Sequence, residues 1–425
     1  MSIKIYLASE NTSIYNIQKP DSYAALKFPE FRNFTLARLF ITIGTQIQAV
    51  IVGWQIYEIT KDPLSLGLIG LAEAIPSISV LLFAGHITDT NDRKKIVLYS
   101  VYLMAFCSVL LLLISTDSIN IFTMNKVPAM YAAIFLSGIG RGFSAPSFFA
   151  FVSQLVPKEV LPNAITWNTT TWQTGAVTGP AIGGLLYGFI GPSNTYLTIV
   201  VFWFIAIILI FQIKKKPVPV ILGIQSLKEK LTAGLKFVFK RKILLGAISL
   251  DLFAVLFGGA VALLPIFAAE ILFAGPQGLG VLRAAPSIGA VIMAIYMTRT
   301  PFTKNAGRNL LISIFGFGIC IIIFALSKNF FLSIAVLALS GGFDSVSVVI
   351  RATIIQMMTP DNMKGRVSAV NSIFIGSSNE IGGFESGVAA KLLGTVPSVI
   401  FGGIMTLLIV TFVTIFSPRL RNLKL

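Results

Sequence analysis

The chain has 425 residues, of which 55% are hydrophobic and only 12% charged, and its mean hydropathy is +0.85. So little polar surface cannot clothe so much apolar mass in water, which excludes a soluble globular enzyme. The net charge of +16 does not indicate nucleic acid, because the basic residues sit in short connections between apolar stretches, where they orient membrane proteins.

A first tail, 1–32, lacks the continuous apolar core of a cleaved secretory signal. Twelve apolar segments then follow: 36–58, 66–87, 96–116, 127–152, 163–190, 194–213, 243–270, 277–298, 309–327, 330–352, 366–391 and 394–416. A helix needs about 20 such residues to cross a hydrocarbon core of about 30 Å. Runs such as YLTIVVFWFIAIILIF do not alternate as barrel strands would. The expected class is therefore an all-α integral membrane protein. With both termini inside, 25 of the 33 basic residues fall on the cytoplasmic side, against Lys61, Lys126, Lys328 and Lys391 outside. The two cysteines, Cys107 and Cys320, lie within apolar runs, so no disulfide framework is expected.

The longest connection, 214–242, divides the spans six and six. Within it Leu227, Leu231, Leu235 and Val238 recur at helical spacing among lysines, which predicts an amphipathic helix on the anionic inner leaflet. The domains are thus the tail 1–32, a bundle over 33–213, the linker 214–242, a second bundle over 243–417 and a tail 418–425. The halves echo each other: EAIPSI at 73–78 answers RAAPSI at 283–288, and QLVPKEVLPNA at 154–164 loosely answers QMMTPDNMKGRVSA at 356–369. Parallel repeats of this kind mark transporters whose site lies between two halves.

Two motifs carry mechanism. GHITDTNDRKK, 85–95, places Gly85 and Asp89 before the basic run Arg93, Lys94 and Lys95. Glycine permits close helix approach, and an aspartate suits the positive end of a neighbouring helix. GAVTGPAIGG, 175–184, sets Gly175, Gly179, Pro180, Gly183 and Gly184 on one span, combining a small-residue packing stripe with a proline bend.

The first motif resembles the inner-gate signature of the major facilitator superfamily, with Thr90 and Asp92 where the family usually has Arg and Gly; the second resembles its antiporter signature. The stretches 244–268, 278–290, 347–380 and 384–387 resemble the enterobactin-exporter-like branch, and FPEFRNFTLARLF at 28–40 resembles its entry to the first helix. The resemblance covers about 28–417. It implies the major facilitator fold, twelve transmembrane helices in two six-helix bundles. It also implies a rocker-switch exporter of siderophore-like or drug-like molecules, with the first motif locking the inner side against the eleventh helix.

Ionisable residues within spans cost about 2.5–3.5 kcal/mol each at a helix centre, so each is a candidate for proton coupling or the substrate cavity. They are Glu73, Arg141, Asp251, Arg283, Asp344, Arg351, Glu380 and Glu385. Asp344 and Arg351, seven apart, share a helix face and suit a charge pair. Glu380 and Glu385, five apart, point about 140° from each other. Glu73 and Arg283, at equivalent places in the echoed segments, suit an outer gate. Asp251 has no opposite charge within two turns on its own span, so it must titrate or find a partner such as Arg141 or Arg351. In the family the seventh helix lines the central cavity, which makes Asp251 the leading proton-coupling candidate; a permanent structural ion pair is the alternative.

His86 suits an interfacial position better than a proton relay. Gln46, Gln48, Asn168, Gln173, Ser377, Ser378 and Asn379 suit either substrate binding or helix packing. Trp54, Trp167, Trp172 and Phe257 suit either substrate stacking or lipid contact. No phosphate-binding loop and no zinc spacing occur in the sequence, so no enzyme activity, cofactor or metal is expected. The expected function is proton-coupled antiport of a small molecule by a monomer in the inner membrane. Broad drug efflux, or a polytopic protein that does not transport, are the alternatives.

Overall fold

A computed structural model describes residues 21–116, 125–218, 227–300 and 305–424; most of the expected N-terminal tail, residues 1–20, lies outside them. The described residues form helices α1 (Pro29–Thr60), α2 (Pro63–Thr90), α3 (Arg93–Ser115), α4 (Lys126–Val152) and α5 (Leu161–Phe211). After the linker helix α6 (Leu227–Lys240) come α7 (Lys242–Phe257), α8 (Gly275–Arg299), α9 (Ala306–Leu326), α10 (Phe330–Met358), α11 (Asp361–Leu393), α12 (Thr395–Phe416) and the short α13 (Pro418–Arg421). Among the described residues nine helical stretches are long and apolar enough to cross a membrane. Chain punctuation sets many of the ends. Proline occupies the first turn of α1, α2 and α5, and the Asp62, Asp92 and Asn329 side chains accept backbone N–H groups at the starts of α2, α3 and α10.

Two expected boundaries differ. The fifth and sixth segments join in the single element α5, bent where Gly191 takes φ +77° ahead of Pro192; only glycine enters that conformation cheaply. The seventh segment, 243–270, is not one helix. α7 stops at Phe257, and after Gly258 and Gly259 the chain runs through a 3₁₀ turn (Ala260–Leu263), one short helical turn and a π turn (Phe267–Ile271). A glycine pair and Pro265 weaken the backbone ladder there, and α11 packs so closely that a Cβ on Gly259 would stand 2.8 Å from the Gly382 carbonyl.

The helices gather into two bundles. Phe31, Phe34, Phe148, Phe151 and Trp203 form the centre of the first, and Leu244, Ile248, Leu310, Ile314 and Ile354 belong to the core of the second. The echo between the halves is a repeated crossing. A Cβ on Gly138 of α4 would stand 2.7 Å from Pro76 of α2, while Gly341 of α10 lies in backbone contact with Pro286 of α8.

The linker helix forms as expected. Of its apolar stripe Val238 is buried and Leu235 exposed, while the side chains of Leu227 and Leu231 lie outside the described residues. Gly234 faces the Arg366 carbonyl and Val370 of α11. Glycine at 234 lets the helix dock on the second bundle, so that this face packs on protein rather than lipid.

Candidate functional site

The bundles meet at the end opposite the chain termini. Gly184 of α5 packs on Gly280 of α8, a Cβ there standing 2.7 Å from the Gly280 Cα, and Gly387 of α11 lies equally close to Gly67 of α2. Two polar links rim this contact: Tyr57 bonds Glu270 and Lys391 bonds Asp62 at 2.7 Å, while Gln277 packs against Gly188. Toward the termini the bundles part: a Cβ on Gly85 of α2 or Gly376 of α11 would meet nothing within 4 Å. The expected close approach at Gly85 is therefore absent, because the crossing helices have diverged there. The side chains of Asp89 and His86 lie outside the described residues. Arg93 donates to the Ala150 carbonyl at 2.9 Å and Lys94 to that of Phe211 at 2.9 Å, so both basic residues tie α3 to helix ends within the first bundle. Lys95 is exposed.

The second motif behaves as a packing stripe. Cβ atoms on Gly175, Gly179 and Gly183 would stand 2.7 Å from Thr42, 2.6 Å from Gln46 and 3.1 Å from Ile47, all on α1. Gly184 turns to the other bundle, and the Pro180 carbonyl meets Gly280 of α8. One short segment therefore holds α5 to its own bundle and forms the seal with the other.

Between seal and opening lies a cavity of about 470 Å³. α2 and α4 contribute Glu73 and Arg141, which are ion-paired; α8 contributes Arg283, α10 Asp344 and α11 Asn379 with Glu380. Gln46 and Gln48 line it from α1, and the broken stretch after α7 supplies Gly258 to Ala262. Glu380 shares the cavity with Arg141 and Arg283, within electrostatic range of both. Glu73 and Arg283 thus stand in the central cavity, while the contact at the sealed end is made by glycines and by Tyr57, Asp62, Glu270 and Lys391. Glu385 does not line the cavity, as its angular separation from Glu380 requires.

Asp251 finds its partner on another helix. Arg351 of α10 pairs with it, and both side chains are more than nine-tenths buried. Arg351 therefore does not pair with Asp344, although the two share a helix face. Asp344 has no ion-pair or hydrogen-bond partner among the described residues.

The remaining candidates divide. Asn168, Gln173, Ser377 and Ser378 do not line the cavity. Trp54 packs edge-on against Tyr187, Trp167 bonds the Ser22 carbonyl, Trp172 is exposed and Phe257 packs on Phe401. None of these aromatics faces the cavity. The sequence reading missed the rim pairs: Tyr57 and Glu270 are 213 positions apart and Asp62 and Lys391 329 apart. Their only sequence signal is a polar residue at a span end.

Such a site, a charged cavity between two repeated helical bundles, is that of a membrane transporter. The model of the transmembrane secretion effector family matches residues 21–424, and the chain belongs to that family of the major facilitator superfamily. It is similar to the enterobactin exporter EntS of Shigella flexneri, 26% identical over 400 residues that cover 93% of each chain. The EntS of Escherichia coli strain K12 is 25% identical, covering 93% of this chain and 94% of that one. Solved structures share the fold. A nucleoside transporter, NupG, superposes with a TM-score of 0.73 at 11% identity, covering 91% of this chain and 100% of that one. A bacterial homologue of the iron transporter ferroportin, in its inward-facing state, gives 0.67 at 15%, covering 90% and 98%. The protein is a multi-pass inner-membrane transporter of a small molecule, not an enzyme.

Proposed function

We propose that this chain is a secondary exporter that moves a siderophore-like organic molecule out of the cell while protons run inward. Two halves, 33–213 and 243–417, alternate access to the cavity between them. Twelve spans cross the membrane, and the tails 1–32 and 418–425 and the linker 214–242 lie in the cytoplasm, as the placement of basic residues favours. One copy suffices, since each half supplies part of the site. The observation that carries this reading is the charged cavity, sealed at the end away from the termini, in a chain whose curated relatives are named as exporters of enterobactin. With the termini inside, the opening faces the cytoplasm, the side on which an exporter loads.

Arg141 and Arg283 offer donors to substrate oxygens, and Gln46, Gln48 and Asn379 add neutral hydrogen bonds. The carboxylates Glu73, Asp344 and Glu380, with the Asp251–Arg351 pair beneath the cavity wall, accept substrate donors and handle protons. The energetics suffice. At about 150 mV one charge supplies about 3.5 kcal/mol, enough for a concentration ratio of a few hundred. Loading lets the halves close at Gly85 and part at Gly184 and Gly280, with α5 carried by its stripe on α1.

Purified protein in proteoliposomes tests this. Enterobactin should move against an imposed pH gradient and carry protons the other way. Equal movement of unrelated drug-like molecules would replace the siderophore reading with broad drug efflux. No substrate-dependent proton movement across a wide panel would leave a membrane protein that does not transport. Orientation is tested separately: in a cysteine-free background Phe239→Cys on α6 should resist an impermeant thiol reagent in intact cells and react in inverted vesicles.

A further inference from the structure

The two halves carry the same pair of charged positions with the signs exchanged. In the first, Glu73 stands three residues before Pro76, and Arg141 three residues after the Gly138 that packs on that proline. In the second, Arg283 stands three residues before Pro286, and Asp344 three residues after Gly341, which packs on Pro286. The first pair is closed as an ion pair. The second is open: among the described residues Arg283 makes no ion pair and Asp344 has no partner. Asp344 also borders a second, smaller void of about 10 Å³ lined by Asp251, Ser313 and Ser347. That is about the room one water needs, and the Ser347 hydroxyl beside it is buried with no hydrogen-bond partner.

We propose that Asp344 is the proton-carrying carboxylate of the antiport cycle, and that a donor group of the substrate competes with the proton for it. This rests on the antiport reading above and adds the group on which the exchange turns. A carboxylate without a cation beside it in a low-dielectric wall is neutralised either by a proton or by a ligand's hydrogen-bond donors. The charged groups around Asp344 leave it that role. Arg283 of α8 lies within electrostatic range of Glu380 of α11 without forming an ion pair, and on the far side of the small void Asp251 of α7 holds Arg351, two turns along α10 from Asp344. α9 brings only uncharged side chains to the void, and α12 carries no charged residue. The proton arrives from water on the outer side when the seal parts and binds an Asp344 oxygen. It leaves to water in the inward-open cavity as the substrate's hydroxyl or ammonium donor takes its place, while Arg283 takes the substrate's acceptor oxygens. The void by Ser347 lies between Asp344 and the Asp251–Arg351 pair, so the charge state of Asp344 is felt across α7 and α10.

The test uses the whole protein in proteoliposomes with enterobactin as probe. One pH unit should drive about tenfold accumulation in the wild type for one proton per substrate. Asp344→Asn should abolish that accumulation yet still exchange labelled for unlabelled enterobactin, and Asp344→Glu should restore pH-driven transport. Enterobactin should bind the wild type more weakly as pH falls, since protons occupy its place, and bind Asp344→Asn with no such slope. A second measurement needs no variant: a hydrophobic carbodiimide, which modifies protonated carboxyls, should label Asp344 rather than Asp251, and enterobactin should protect it. PH-driven accumulation by Asp344→Asn equal to the wild type, or labelling confined to another carboxylate, overturns the assignment. If the wild type itself exchanges enterobactin but ignores the pH gradient, the antiport reading falls first and this inference with it.

Discussion

The two halves share a crossing motif and differ in how firmly they are closed. In the first, Glu73 meets Arg141, Arg38 stacks over Phe148 with its guanidinium 4.3 Å from the ring centre, and the glycines of α5 seat on α1. In the second, α7 ends early at a glycine pair, the chain passes through three kinds of turn, and the corresponding charge pair stands open. Backbone irregularity at membrane depth survives only where it is buried in protein or lines a wet cavity, and here it does the latter. In the cycle proposed above, the firmly closed half serves as the frame and the open one as the part that takes up the proton.

The largest effect is expected at the buried ion pair of the second half. Arg351→Leu removes the only ion-pair partner of buried Asp251 among the described residues and should cost about 3–5 kcal/mol, read as loss of folded protein in thermal melts in detergent. A variant that melts with the wild type would show the pair to be dispensable to the second half.

Next, Gly179→Leu should insert normally yet lose export, because its side chain would enter the space held by Gln46 on α1. Wild-type export at normal expression would remove the case for a rigid first half. Arg141→Leu and Arg283→Leu sharpen the contrast. The first opens a formed pair and should destabilise by about 1–3 kcal/mol, the second by less, since no ion pair is broken; equal losses in melts would erase the asymmetry. Smallest of all, Lys391→Ala at the rim should cost about 0–1 kcal/mol, as exposed ion pairs do. It should shift the open and closed populations only slightly by distance measurement between spin labels.

Much of the fold was legible because lipid imposes a length on every span and basic residues mark one side. The glycines of 175–184 were legible too, since a small-residue stripe has few other uses at that spacing. The break after α7 was written in GGAVALLP, but hydropathy does not dip there, and a scale of apolarity cannot see a missing backbone bond. Asp251 and Arg351 lie a hundred positions apart. The lack of a partner on its own span pointed Asp251 to Arg141 or Arg351 without choosing between them. Helical spacing also offered Asp344 to Arg351, which shares a face with it but does not pair with it. The Tyr57–Glu270 and Asp62–Lys391 links needed the halves to be docked before either partner was near.

The seal at Gly67, Gly184, Gly280 and Gly387 also determines how the gate responds to its surroundings. Backbone against backbone carries no net charge, so parting it strips water from no ion and frees none. Ionic strength should then act on the opening rate only weakly, through the rim groups Asp62, Lys391 and Glu270. Such a gate works alike in dilute and in salty water.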